Sequence, residues 1–163
     1  GKLLAEHDKS LTPPPPPPGP EPLVTLRRTI PVDWTDYNGH MNESRYGQLW
    51  SDAGATLPIA IGLGPESPAT GASWFTVDNH IRYLSEVHAG EACEVRTTVL
   101  LAEGKKLRMH HEMYVGETLS ASCTQFLLHI DMTTRRSAPP TPEVAEKLTE
   151  YAQAHAALAA NFA

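Results

Sequence analysis

Asp36-Tyr37-Asn38-Gly39-His40-Met41-Asn42 stands between a strand-like run and a strongly patterned helix. Upstream, Val24 to Val32 mixes β-branched and apolar residues as a strand does, and Pro31 marks an edge or the strand's end. Downstream, Tyr46, Leu49, Trp50, Ala53 and Leu57 recur at three- and four-residue steps, which predicts a helix buried along one face. Asn42 is the expected N-cap, and Glu43 is favourable in the first turn. One short stretch thus joins a carboxylate, a glycine turn and a helix start. Amides at a helix start lack intrahelical partners and carry partial positive charge, so they can hold a carbonyl oxygen as it turns negative. An aspartate beside them can attack that carbonyl or activate a water. This is equipment for acyl transfer.

The helix is expected to kink or end at Pro58, with Gly62 and Gly64 opposing continuation. Beyond it the pattern is β throughout: Ser73 to Leu84, then Cys93, Val95, Thr97, Val99 and Leu101 in alternation, then Leu107, Met109, His111, Met113 and Val115. Gly104 and Gly116-Glu117 supply turns. A last strand runs from about Leu119 to Asp131, with Phe126, Leu128 and Ile130 on one face and Leu127 and His129 on the other. Apolar residues on both faces predict a covered central strand. Thr141-Pro142-Glu143 has the cap, proline and acid order of a helix start, and the alanine-rich stretch to Ala160 fits a terminal helix. The order is a strand, a long helix, then four antiparallel strands.

The 163 residues, 40% of them hydrophobic, suffice for one ordinary core. Residues 24–138 are read as that domain and 139–163 as a C-terminal helix. Residues 1–23 form a stub and linker, because Pro13 to Pro18 cannot make a helix ladder and favours extended polyproline geometry. A start at glycine rather than methionine suggests a chain processed or excised from something longer. The formal charge is −6, from 13 Lys+Arg against 19 Asp+Glu, and no long basic block is present, so nucleic acid is not an expected partner. No run approaches the length of a bilayer span and no signal-peptide core is seen, so neither membrane insertion nor export is expected. Cys93 and Cys123 fall in strand-like segments as buried thiols, which favours a cytoplasmic setting. Among the 8 histidines, His110 and His111 must point to opposite faces of a strand, and no zinc-helix spacing occurs; no metal is expected.

The strand, the turn motif and the helix it opens resemble the hot-dog fold of the 4-hydroxybenzoyl-CoA thioesterase-like family, over roughly Val24 to Asp131. The resemblance implies an α+β fold, an antiparallel five-stranded sheet wrapped around a long central helix. It also implies an acyl-CoA thioesterase in which Asp36, three positions before Gly39, acts as nucleophile or general base. Tyr46 takes a position where such sequences commonly carry tyrosine, packing the helix under the site. A closer resemblance is to the betainyl-CoA thioesterases, standalone or fused to an L-carnitine dehydrogenase. It is carried by Val32-Asp33-Trp34-Thr35-Asp36-Tyr37-Asn38-Gly39-His40-Met41, Phe75-Thr76-Val77-Asp78-Asn79-His80 and Leu127-Leu128-His129-Ile130-Asp131. Lys105-Lys106-Leu107-Arg108 departs from the Lys-Arg-Leu-His expected there. The implied substrate is betainyl-CoA, within carnitine metabolism, and the implied assembly is a homodimer or tetramer. A fused or associated carnitine dehydrogenase is a further implied partner, and no cofactor is needed beyond the CoA of the substrate.

A thioester has its own good leaving group, so the protein has mainly to stabilise an oxyanion and deliver water or a carboxylate. Asp36 can do either. The amides of Gly39, His40 and Met41 are the candidate oxyanion donors, His40 can orient the turn or the water, and Asn42 is a cap first and a substrate contact second. Asp33 reads as structural. A quaternary ammonium is held by aromatic faces, and Trp34, Tyr37, Trp50, Trp74 and Phe75 are the candidates, with Trp34 and Tyr37 foremost because they flank Asp36. Arg82, Arg96, Lys105, Lys106 and Arg108 could meet CoA phosphates, none singly assigned. Two other functions fit parts of the pattern. A hot-dog enoyl-CoA hydratase also uses a nearby aspartate and histidine, although its proline and one more intervening residue are missing here; a non-catalytic acyl-CoA-binding domain is the other.

Overall fold

The structure is a computed structural model that describes residues 18–63 and 72–162. The proline run up to Pro17 and the expected stop at Gly64 lie outside the described residues. Six strands form one antiparallel sheet: β1 (Leu23–Thr29), β2 (Ala72–Tyr83), β3 (Ala92–Glu103), β4 (Lys106–Val115), β5 (Thr118–Asp131) and the short β6 (Arg136–Ser137). The order across the sheet is β1-β3-β4-β5-β2, with β6 beside β5. The expectation of five strands is corrected by β6, which two residues could not announce. It forms because Asp131 folds the chain back, its carboxylate accepting from the amides of Thr133 at 2.8 Å and Thr134 at 3.3 Å.

The central helix α1 (Glu43–Ala60) buries Tyr46, Leu49, Trp50, Ala53 and Leu57, the face expected from their spacing. Asn42 caps it, accepting from the Ser44 amide at 3.0 Å. The helix runs through Pro58 and stops two residues later, where Gly62 takes a positive φ of 84°. Leu49, Trp50 and Ala53 are fully buried against Val95, Met113, Ala121 and Cys123 on one face of the sheet. Cys93 and Cys123 are free and buried, and burial pushes the Cys123 thiol up to about 12.

The C-terminal helix α2 (Pro142–Ala154) lays Leu148 and Tyr151 over the same face, with Leu57, Ile61, Val99, Leu107 and Met109. A bulge between Val99 and Leu101 interrupts the β3 ladder, and the freed Val99 amide donates to Nδ1 of buried His155 at 3.0 Å. Helix α3 (Ala156–Ala159) and the following turn then bring Phe162 onto the outer face, stacked on His110 at 4.0 Å. His111 points inward, parallel to Trp50, so the two histidines do face opposite ways. Among the described residues no helix is long and apolar enough to cross a membrane.

Candidate active site

After β1 the chain makes a 3-10 turn at Val32–Trp34 and then a small hairpin closed by a bridge between Thr35 and Met41. The Asp36 amide donates to the His40 carbonyl at 2.8 Å and the Gly39 amide to the Asp36 carbonyl at 2.9 Å. Gly39 has φ 78°. This is a three-residue hairpin loop ended by a left-handed residue, and it explains the glycine.

Asp36 is half-buried at the hairpin base. Its Oδ1 accepts from the amides of Asn38 at 2.8 Å and His40 at 3.2 Å. Neither bond uses Oδ2, so that oxygen is the one available to a substrate or a water. The three amides expected to hold an oxyanion are otherwise engaged. Gly39 and His40 donate back to Asp36, and Met41 donates to the Val87 carbonyl at 2.6 Å. The Asn42 amide donates to the Trp34 carbonyl at 2.7 Å. At the helix start proper, Asn42 receives the amides of Ser44, through its side chain, and Arg45, through its carbonyl. Glu43 is the first helical residue, and the first amides of a helix have no intrahelical acceptor.

The aromatic candidates separate widely. Trp50 is 0% exposed and stacks on His111, so it is a core residue and cannot touch a substrate; its fully buried helix position is the reason. Trp34 is 5% exposed, and the Arg28 guanidinium lies 3.7 Å from its ring centre, so one face already holds a cation. Tyr37 is 97% exposed at the hairpin tip, with no wall around it. Trp74 lines an apolar cavity at the other end of α1, and Phe75 is exposed on the edge strand β2. None of these joins Asp36 in a common pocket.

What does adjoin the hairpin is a groove of about 430 Å³ lined by His40, Met41, Glu43, Tyr46, Tyr83 and Glu86. The rings of Tyr46 and Tyr83 meet edge to face, 5.0 Å apart and 85° to one another. The segment after β2 crosses behind the hairpin: His40 bridges His88, and the His40 Nε2 lies 3.3 Å from the Glu86 carboxylate. His40, Glu86 and His88 each bring a ligand atom within 4.8 Å of the others, a set that could hold a metal ion. Residues 85–88 gave no signal in the sequence because their role depends on pairing with His40 and Met41, more than forty positions away.

The chain matches the model of the thioesterase-like superfamily over residues 30–148 and belongs to that superfamily. Its fold is the hot-dog fold. A Staphylococcus aureus protein solved in complex with CoA superposes with a TM-score of 0.75 over 82% of this chain and 85% of its own, at 23% identity. A 1,4-dihydroxy-2-naphthoyl-CoA thioesterase from Synechocystis superposes with a TM-score of 0.67 over 77% of this chain and 93% of its own, at 19% identity. By sequence, an L-carnitine dehydrogenase/betainyl-CoA thioesterase of Ruegeria pomeroyi is 40% identical over 97% of this chain. The chain spans about a third of that bifunctional relative, 34% of its length. A betainyl-CoA thioesterase of Pseudomonas aeruginosa is 38% identical over 83% of this chain and 87% of its own length.

Proposed function

We propose that this chain hydrolyses the thioester of a short acyl-CoA, betainyl-CoA, to betaine and free CoA. The observation that carries the reading is the half-buried Asp36 carboxylate, tied through Oδ1 to its own hairpin at the amino end of α1. The similarity to thioesterases of that named substrate supports it, the match to the standalone Pseudomonas aeruginosa protein above all. In this reading a water gives its proton to Oδ2 of Asp36 and its oxygen attacks the thioester carbon. The Glu43 amide, at the positive end of the helix, receives the oxyanion. Collapse of the tetrahedral adduct breaks the carbon–sulfur bond, and the thiolate leaves with the proton that Asp36 had accepted, which returns the carboxylate. Asp36 as nucleophile, forming an anhydride that water opens, uses the same geometry. His40 orients the carboxylate through its backbone amide.

A homodimer belongs to the same proposal. The edge strand β2 is 12 residues long and exposes Phe75 (45%), Val77 (53%) and Tyr83 (50%), a surface suited to pairing with a second copy. A working link to an L-carnitine dehydrogenase, by fusion or association, and a reducing cytoplasmic setting complete it; the free buried Cys93 and Cys123 support the latter. No cofactor is required beyond the CoA of the substrate.

The test is free-thiol release from betainyl-CoA, acetyl-CoA, butyryl-CoA and 4-hydroxybenzoyl-CoA, with crotonyl-CoA hydration followed in parallel. Betainyl-CoA is expected to be cleaved fastest. Hydration of crotonyl-CoA without thioester cleavage would put the hydratase reading in its place, and tight CoA binding without any turnover would leave a binding domain.

A further inference from the structure

The groove that meets the Asp36 hairpin at His40 and Met41 carries two carboxylates, Glu43 and Glu86, and its described lining includes no lysine or arginine. That is an odd provision for a site that must stabilise a negative oxyanion, since each carboxylate repels the developing charge. The oddity disappears if the acyl group itself brings a positive charge. Resting on the thioesterase reading above, we propose that Tyr46, Tyr83, Glu43 and Glu86 form the specificity pocket for a quaternary ammonium carried on the acyl group.

The chemistry of such a cation fixes what can hold it. A trimethylammonium has no N–H to donate, so only aromatic faces and unpaired negative charge recognise it. Tyr46 and Tyr83 stand at 85° to each other and make an aromatic corner. Burial, followed by the neighbouring Glu43 carboxylate, raises the Tyr83 phenol above its ordinary range, which puts that negative charge near the corner. Trp34 is the aromatic residue closer in sequence, but Arg28 already covers it.

The length of the acyl group sets a further condition. In a betainyl group a single methylene separates the nitrogen from the carbonyl carbon, so the cation pocket must adjoin the oxyanion site. Glu43 meets both demands, with its amide at the helix end and its side chain in the groove wall. Glu86 has a competing role as partner of His40 at 3.3 Å. The two roles differ in what they predict. Positioning of His40 affects every substrate alike, whereas cation recognition affects only charged ones.

The experiment compares betainyl-CoA with its uncharged isostere 3,3-dimethylbutanoyl-CoA, in which carbon replaces nitrogen. The wild-type protein is expected to favour betainyl-CoA in kcat/KM. Glu86→Gln, Glu43→Gln and Tyr83→Leu are each expected to shrink that preference by roughly 3- to 30-fold, the loss being larger on betainyl-CoA than on the isostere. Equal losses on both substrates in all three variants, or an unchanged preference, would overturn the pocket and leave the thioesterase reading standing. Failure of the wild type to cleave either thioester would remove the reading itself, and the pocket with it.

Discussion

The two ends of α1 carry cavities of opposite character. At its amino end the groove of about 430 Å³ is open and lined by carboxylates, tyrosines and a histidine. At its carboxyl end a cavity of about 40 Å³ is closed in by Leu57, Ile61, Leu107, Met109, Trp74 and Leu148. The second is about the size of a water or two and its described lining is almost wholly apolar, which makes it a packing gap. The same helix therefore supplies amides and charge at one end and only shape at the other. Function should follow the end where the helix amides lack intrahelical acceptors, and stability the other end.

The largest test of that division is Asp36→Asn. The amide oxygen still accepts from Asn38 and His40, so the hairpin and Tm should hold while turnover falls by roughly 10²- to 10⁴-fold. Thiol release and a thermal melt on the same preparation check it. A mutant that keeps its rate moves the chemistry away from the amino end.

At the opposite end, Leu148→Ala removes a side chain only 4% exposed and packed among residues of α1 and the sheet. It should cost about 2–5 kcal/mol in urea unfolding, with kcat/KM unchanged at temperatures where the protein stays folded. Loss of activity in the folded variant would couple the two ends and break the comparison.

Between them lies a buried polar chain that joins four strands. Thr25 meets Thr97 at 2.8 Å, Thr97 meets His111 Nδ1 at 2.7 Å, and His111 Nε2 meets Gln125 Oε1 at 2.8 Å. With Gln125 offering its oxygen, Nε2 carries the proton, Nδ1 accepts, and the ring is neutral. Burial lowers His111 to about 4, against 6.5 for the ordinary side chain. As pH falls below 6.5 the unfolded chain takes up this proton first, so stability present above 6.5 is lost down to about 4. The loss is roughly 3 kcal/mol once both states are protonated. Urea unfolding from pH 7.5 to 4 should be less pH-dependent in His111→Gln than in the wild type. Equal slopes in the two proteins would mean that His111 takes up its proton in the fold as readily as in the unfolded chain.

The fold was legible because its signals are local. The buried face of α1 follows from the spacing of Tyr46, Leu49, Trp50, Ala53 and Leu57, and each long strand lies within a few residues of its alternating pattern. Asp36, Gly39 and the Asn42 cap were legible for the same reason. What could not be read is made by contacts that periodicity does not describe. The Val87 carbonyl takes the Met41 amide, Arg28 covers Trp34, and Tyr83 and Glu86 complete the groove. Periodicity could count the aromatic residues but could not say which of them another side chain had already claimed.

The smallest effect sharpens the amino end. Asn42 accepts both the Ser44 amide and the Ser44 hydroxyl at 3.0 Å, so its cap role rests entirely on an acceptor oxygen. Asn42→Ala should cost about 1 kcal/mol of stability, and Asn42→Asp should restore it, since a carboxylate accepts the same bonds and suits the helix dipole. If capping is the whole role, the aspartate variant also regains the wild-type KM. If instead the amide nitrogen of Asn42 touches the acyl group or CoA, the aspartate variant recovers stability while its KM stays raised. Urea midpoints and KM measured on the same pair of variants separate the two roles.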